Sequence, residues 1–372
     1  MNRNHSTNQP APASGGRPPG LSDFDFDARP FILFWEVTRA CALACRHCRA
    51  VAQKRQDPLQ LSTAESMALL DQVAELRPFM FVLTGGDPML RRDLFDLIRY
   101  SAQHHGIHTS LSPSATPLLL RTDFHALREA GVQRLSLSLD GACRETHDSF
   151  RGLSGTFDRT IEAVQRAHDA GVSIQINTTI HKGNLHEFDA FAELMHELKP
   201  AMWSLFLVVP TGRATMDDLP SPGEVEHILE KLYAVAVDAP FDVKTTEGHH
   251  YRRIVIQHER ATGRITKRAP LGIRDGRGVA FISHTGGISP SGFLPVEAGN
   301  VRTDSLVEVY RHAPLFVNLR DHDRLKGKCG RCEFRTVCGG SRARALGVHG
   351  DIFAEDPLCS YQPGSRAPAL SA

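Results

Sequence analysis

The sequence predicts an α/β chain, an open partial (β/α)6 barrel followed by a small metal-stapled C-terminal domain. Three observations carry that expectation. Short β-rich runs alternate with segments of helical period from residue 31 to about residue 238, the period fades beyond Pro240, and seven of the eight cysteines fall into two separate clusters. A chain of 372 residues with 41% apolar content can bury one large core and a smaller one.

The strand candidates are residues 31–37, 80–83, 107–111, 134–139, 172–179 and 202–209. Between the first two, Ser62 and Glu65 form a capping box, and Leu69, Val73 and Leu76 recur along one helical face. A second face comes from Phe95, Leu97 and Ile98 after Asp93. Residues 156–170 form a third helix that stops at Gly171, a residue suited to the left-handed turn beyond a helix end. Ligands of parallel α/β folds bind at the carboxyl ends of the strands, so the loops after each strand are where chemistry is expected.

The domains expected are a disordered tail over 1–29, a barrel over 30–238, a linker or bridging segment over 239–278 and an auxiliary domain over 279–372. The first 20 or so residues are rich in Asn, Ser, Pro and Gly and lack the apolar stretch of a signal peptide. Apolar runs such as 202–210 have strand length, far short of the roughly 20 residues that span a bilayer, so a cytoplasmic protein without a membrane span is expected. Forty-three basic residues against 42 acidic ones argue against nucleic acid as a partner.

Clustered cysteines in a reducing compartment bind metal more often than they pair. Cys41, Cys45 and Cys48 have C-x3-C-x2-C spacing directly after the first strand. Three thiolates can hold three irons of a four-iron cluster and leave the fourth open to a ligand, although a zinc knuckle or redox cysteines use similar spacings. The second strand runs into Thr84-Gly85-Gly86-Asp87-Pro88, where glycines allow close backbone approach and a carboxylate suits an ammonium group. Cys329, Cys332, Cys338 and Cys359 offer four thiolates, enough for a closed cluster or for zinc. Cys143 stands alone and reads as a buried small hydrophobe or a free thiol.

With these motifs the chain resembles the radical S-adenosylmethionine (SAM) superfamily. The resemblance implies that Cys41, Cys45 and Cys48 chelate a [4Fe–4S] cluster whose open iron takes SAM, and that Gly85, Gly86, Asp87 and Pro88 correspond to the family's GGEP turn. Asp87 is one methylene shorter than the usual Glu, which implies an indirect contact. The stretch 135–141 resembles the family's SLDG segment and implies Ser138 and Asp140 as SAM-site residues. His147-Asp148-Ser149-Phe150-Arg151-Gly152 matches an HDxxRG stretch in which Arg151 pairs with the SAM carboxylate. Asn177 is a further candidate, and His47 stands where many members carry an aromatic residue.

The resemblance extends to a SPASM/twitch-type C-terminal domain with a single auxiliary [4Fe–4S] cluster on Cys329, Cys332, Cys338 and Cys359. Arg342 occupies the fourth position of the SPASM C-x2-C-x5-C-x3-C core, while His284 and Pro295 or Val296 stand where further cysteines would lie. Segments 289–295, 299–302 and 329–344 are similar to the radical SAM enzymes of alternative haem and haem d1 biosynthesis. Those enzymes remove or shorten propionate-derived side chains of an iron tetrapyrrole. This implies an oxidoreductase or lyase-type enzyme that cleaves SAM reductively to a 5'-deoxyadenosyl radical. It implies a tetrapyrrole substrate and an external electron donor such as ferredoxin or flavodoxin. Arg342, Arg344, His249, His250 and His284 are then candidates to meet carboxylates or iron, or else plain surface groups. The alternatives are a maturase of a ribosomally made peptide, a group in which Thr211-Gly212-Arg213-Ala214 also occurs, and a non-catalytic iron-sulfur or zinc protein.

Overall fold

The six apolar runs become six parallel strands, β1 (Ile32–Glu36), β2 (Met80–Thr84), β3 (Thr109–Leu111), β4 (Arg134–Ser138), β5 (Ser173–Ile180) and β6 (Met202–Leu207). The computed structural model describes residues 24–266 and 271–364. Each strand lies beside the one before it, in registers such as Ile32 opposite Met80 and Arg134 opposite Ser173, with helices in the crossovers. Ser62 caps the helix Thr63–Leu76: its hydroxyl accepts from Glu65 N–H at 3.3 Å, and Glu65 Oε2 accepts from Ser62 N–H at 2.8 Å.

Two-residue periodicity separates a core from a cavity. Leu33 and Trp35 of β1, Leu135 and Leu137 of β4 and Ile174 and Ile176 of β5 are buried in the main hydrophobic cluster, on one side of the sheet. The residues between them, including Ser136, Ser138, Gln175 and Asn177, line a cavity of about 630 Å³ on the other. The alternation in Leu135-Ser136-Leu137-Ser138 is therefore the pattern of a sheet whose inner face meets a polar ligand space.

The sheet does not stop at six strands. Residues 239–278, expected as a linker or bridging segment, contain β7 (Asp242–Thr246), parallel to β6, and the helix Tyr251–Thr262. The apolar signal of β7 is weak because it is an edge strand in which Val243 alone is buried. Beyond it come β8 (Arg274–Asp275), β9 (Gly278–Ile282), β10 (Gly287–Ser289) and β11 (Gly299–Asn300). β9 pairs in parallel with β1, Ile32 opposite Val279, so the C-terminal segment continues the barrel sheet at its opposite edge.

Residues 1–23 of the expected tail lie outside the described residues. Its end, 24–29, is ordered, which corrects the expectation of disorder there: Tyr310 Oη donates to the Phe26 carbonyl at 2.7 Å, and Phe24 packs on Phe31 with ring centres 5.4 Å apart. Among the described residues no helix is long and apolar enough to cross a membrane.

Candidate active site and metal centres

The loop carrying Cys41, Cys45 and Cys48 leaves the carboxyl end of β1 and is held by backbone from four directions. Cys41 N–H donates to the Gln53 carbonyl at 2.8 Å. From the turn after β2, Gly86 N–H reaches the Thr38 carbonyl at 2.8 Å and Asp87 N–H reaches the Ala40 carbonyl at 2.7 Å. Arg46 N–H donates to the Phe150 carbonyl at 2.9 Å. After β6, Arg213 donates through N–H to the Cys48 carbonyl at 3.1 Å and through Nε to the Cys45 carbonyl at 2.9 Å.

This arrangement reassigns the glycines. A Cβ at Gly86 would stand 2.4 Å from the Ala40 carbonyl oxygen, and one at Gly85 would stand 2.5 Å from that of Thr38. Their bareness lets the turn close on the cysteine loop as well as face the cavity. Gly212 does the same from the other side at a positive φ of 64°, where a Cβ would meet the Cys48 carbonyl at 2.3 Å. The sequence marks the segment 211–214 only as a motif shared with peptide maturases. Its structural role is to cradle the cysteine loop.

All three sulfurs border the cavity and each receives a donor: Leu43 N–H to Cys41 Sγ at 3.3 Å, Ala52 N–H to Cys48 Sγ at 3.4 Å, and Arg151 Nη1 to Cys45 Sγ at 3.7 Å. Such bonds favour thiolates. Burial pushes the Cys41 thiol up, against the bonds from Leu43 and Ser114. Burial opposes the charge of Arg151 as well, but the Asp140 carboxylate and Cys45 hold it firmly protonated. Three thiolates on one loop, N–H donors at sulfur and a fixed cation fit an iron-sulfur cluster with one open corner.

The other expected SAM residues divide. Gly85, Gly86, Ser138, Arg151 and Asn177 line the cavity. Asp87 and Pro88 do not. The Asp87 carboxylate is enclosed, accepting from Thr116 Oγ1 at 3.0 Å, Met89 N–H at 3.2 Å and Ser114 N–H at 3.3 Å, so it braces the turn. Asp140 is likewise fully buried, pairing with Arg151 and accepting from Thr179 N–H at 2.7 Å. His47 stacks on Phe150 at 4.4 Å, and Phe150 stacks on His181 at 4.1 Å. Burial lowers the His47 pKa to about 4, so a neutral ring stands at the aromatic position.

Cys329, Cys332, Cys338 and Cys359 border one small hollow with His250, Gly340 and Asp356. Cys329 Sγ accepts from Asp356 N–H at 3.4 Å and from Arg342 Nη2 at 3.7 Å. Burial drives the Cys338 and Cys359 thiols up to about 12, an environment that a bound cation would reverse. Among the described residues no group of three or more His, Cys, Asp or Glu is arranged for a single metal ion. Tetrahedral zinc requires four sulfurs each about 2.3 Å from one point, whereas a four-iron cluster spreads its ligands wider.

The five basic candidates also divide. Arg344 is fully buried against Asp356 at 3.0 Å, and Arg342 donates to the Ile352 and Ala354 carbonyls at 2.9 and 2.7 Å. His250 Nε2 stands 3.0 Å from Asp356 Oδ2. His284 joins Glu36 at 3.0 Å to Asp57 at 3.1 Å. None of these four borders the cavity, and His249 does. Of the two readings of Cys143, the free thiol holds and the buried hydrophobe does not: it is exposed, with Sγ 3.4 Å from Thr146 Oγ1. Sequence reasoning missed Asp356 and Glu247, lone carboxylates in loops without a motif. Glu247 has a positive φ of 57° at the carboxyl end of β7, a strained position that borders the cavity.

The family model described as "Radical SAM superfamily" matches residues 35–195. The chain is 39% identical to an "AdoMet-dependent heme synthase" of Nitratidesulfovibrio vulgaris, over 91% of this chain and 94% of that one. It is 29% identical to an "Fe-coproporphyrin III synthase" of Methanosarcina barkeri, over 92% and 90%. The crystal structure of Streptococcus suis SuiB bound to S-adenosylmethionine shares the fold, with a TM-score of 0.69 at 17% identity over 90% of this chain and 78% of that one. Motif, barrel and relatives converge: the chain belongs to the radical SAM superfamily and is an enzyme, of a family whose cofactors are SAM and a [4Fe–4S] cluster.

Proposed function

We propose that this enzyme modifies the carboxylate side chains of an iron tetrapyrrole, removing or shortening propionate-derived groups. The supporting observation is the charge of the cavity wall. Among the described residues seven cations border it; Arg49 and Arg151 are paired with Glu36 and Asp140, Arg134 opens β4 at the amino end, as Asp242 opens β7, and the others are Arg213, Lys244, Arg252 and Arg274, against Glu247 and Asp275. Burial and the neighbouring Asp275 carboxylate raise the Glu247 pKa well above the ordinary range. A polycarboxylate suits such a wall, and Phe206, Phe281 and Phe293 offer apolar faces to a flat macrocycle. The names of the relatives point to the same chemistry.

Cys41, Cys45 and Cys48 would hold the cluster that binds SAM, with Gly85, Gly86, Ser138 and Arg151 at its margin and Asp87, Pro88 and Asp140 bracing them from behind. Once reduced by an external donor such as ferredoxin or flavodoxin, the cluster and SAM supply a 5'-deoxyadenosyl radical for hydrogen abstraction. The protein's own part is to hold the propionates on the cationic wall and to keep water from the reacting carbon. Cys329, Cys332, Cys338 and Cys359 would hold an auxiliary cluster in the region 279–372, and the protein would work in the cytoplasm. The test is anaerobic incubation with iron(III) coproporphyrin III, SAM and reductant. Loss of carbon dioxide from the macrocycle coupled to 5'-deoxyadenosine is expected. If SAM is cleaved and the tetrapyrrole is recovered unchanged, as a peptide maturase would leave it, the proposal fails.

A further inference from the structure

Among the described residues four imidazoles border the cavity, those of His47, His108, His147 and His249. Three are accounted for. His47 Nδ1 lacks a partner, but His47 adjoins Cys48 in the loop of the first cysteine set and its ring is stacked on Phe150. His147 Nδ1 accepts from Asp140 N–H at 3.1 Å. His108 precedes β3 and so lies at the amino ends of the strands, opposite the end that carries the cysteine loop.

His249 follows β7 at the carboxyl end of the sheet, is 5% exposed, and has an Nδ1 without a hydrogen-bond partner. The Gly340 carbonyl lies beside the ring, and burial with the nearby Arg252 guanidinium keeps the ring neutral. A neutral imidazole has one N–H and one lone pair. If the Gly340 carbonyl takes the N–H, the other nitrogen keeps a lone pair on a cavity wall, the arrangement by which proteins fix the tautomer of a metal-binding histidine. A buried polar atom left without a partner is costly, and so points to a partner supplied by a ligand.

We propose that His249 is an axial ligand to the iron of the tetrapyrrole substrate, an inference that rests on the tetrapyrrole reading above. Its imidazole donates an electron pair to the iron and displaces a water or other weak axial ligand, with no change of oxidation state. Imidazole nitrogen is a common protein ligand for haem iron. One axial bond fixes the plane of the macrocycle, and the arginines then set its rotation through the propionates. A Cβ at Gly340 would lie 3.1 Å from Cys329 Sγ, so the bond would seat the iron on the side of the cavity next to the second cysteine set.

The test compares reconstituted wild-type enzyme with His249→Ala, titrated with iron(III) coproporphyrin III and with metal-free coproporphyrin III. Wild-type enzyme is expected to prefer the iron form by roughly tenfold or more and to show an imidazole-ligated Soret band and electron paramagnetic resonance signal. The variant is expected to bind both forms alike, and added imidazole should restore the band. His249→Met keeps bulk at the site and should instead give a thioether-ligated spectrum, which covers the case in which the alanine variant folds poorly. If either folded variant keeps the wild-type spectrum and the iron preference, His249 is not the ligand. If wild-type enzyme binds neither macrocycle, the tetrapyrrole reading itself fails, a result distinct from the first.

Discussion

Replacing Gly86 with alanine tests whether the turn after β2 positions the cysteine loop. The added Cβ would sit 2.4 Å from the Ala40 carbonyl oxygen and 2.7 Å from that of Arg39, both immediately before Cys41. Carbon and carbonyl oxygen come no closer than about 3.3 Å in ordinary contacts, so turn and loop must separate by about 0.9 Å. The bonds from Gly86 N–H to Thr38 at 2.8 Å and from Asp87 N–H to Ala40 at 2.7 Å would then stretch beyond hydrogen-bonding range. Overpacking of about 1–3 kcal/mol and two lost hydrogen bonds of about 1 kcal/mol each give a local destabilisation of about 3–5 kcal/mol. A misplacement near 1 Å at a reacting centre lowers rate by about a hundredfold. Gly86→Ala should therefore retain less iron and sulfide after anaerobic reconstitution and form 5'-deoxyadenosine at roughly one hundredth of the wild-type rate. Gly223, with open space around its Cβ position in the helix Pro222–Asp238, is the control, and Gly223→Ala should be neutral or stabilising by about 0.5–1 kcal/mol. Full iron content and SAM cleavage near the wild-type rate in Gly86→Ala would refute the reasoning.

Arg344→Met leaves the Asp356 carboxylate, fully buried, without its principal counter-ion, and thermal unfolding should show a loss of about 3–5 kcal/mol, partly recovered by adding Asp356→Asn. Hydrogen bonding to His284, with Arg49 and Arg39 nearby, outweighs burial and lowers the Glu36 pKa to about 2 from 4.5. That stabilisation is fully present above the unfolded value and fades as pH falls through the folded one, so about 3 kcal/mol should disappear between pH 4.5 and 2. Glu36→Gln should lack that slope when denaturant midpoints are followed by tryptophan fluorescence. Cys41→Ala should abolish 5'-deoxyadenosine formation, whereas Cys359→Ala should lower iron content and leave SAM cleavage measurable, as read by iron assay and chromatography.

What the sequence made legible follows from how strongly each signal depends on local spacing. Strands β1, β2, β4, β5 and β6 could be read because each carries several buried apolar residues, β3 because Ile107 and Leu111 bracket it, and the helix Thr63–Leu76 because Ser62 and Glu65 are three positions apart. The cysteines of the first loop and the glycines beside it could be read for the same reason. β7 could not, since Asp242-Val-Lys-Thr-Thr buries a single apolar side chain at a sheet edge. Gly85 and Gly86 show a subtler limit. Spacing revealed that something must approach closely there, but only the fold shows that one approaching group is the backbone of Thr38 and Ala40. Asp87 and Asp140 had plausible roles as ligand contacts until their enclosing partners were visible. Asp356 had no role at all, because its partners come from positions as distant as His250, Ser341 and Arg344.

Those distant partners bear on how the two cysteine sets are related. Asp356 donates its N–H to Cys329 Sγ while its carboxylate holds Arg344 and stands 3.0 Å from His250. Arg344 in turn donates to the Val208 carbonyl at 3.3 Å and to that of Glu247, and these residues lie in the loops after β6 and β7. One buried cation thus neutralises a carboxylate at the second cysteine set and fastens two loops that border the cavity. On the far edge, His284 joins β9 and β10 to Glu36 and Asp57, so the segment grips both ends of the strand series. Buried charge networks of this kind hold their geometry only while every member is satisfied. It follows that the C-terminal segment acts as part of the cavity wall, and that disturbance at the second cysteine set should reach the substrate through Glu247 and His249 before it reaches Cys41, Cys45 and Cys48.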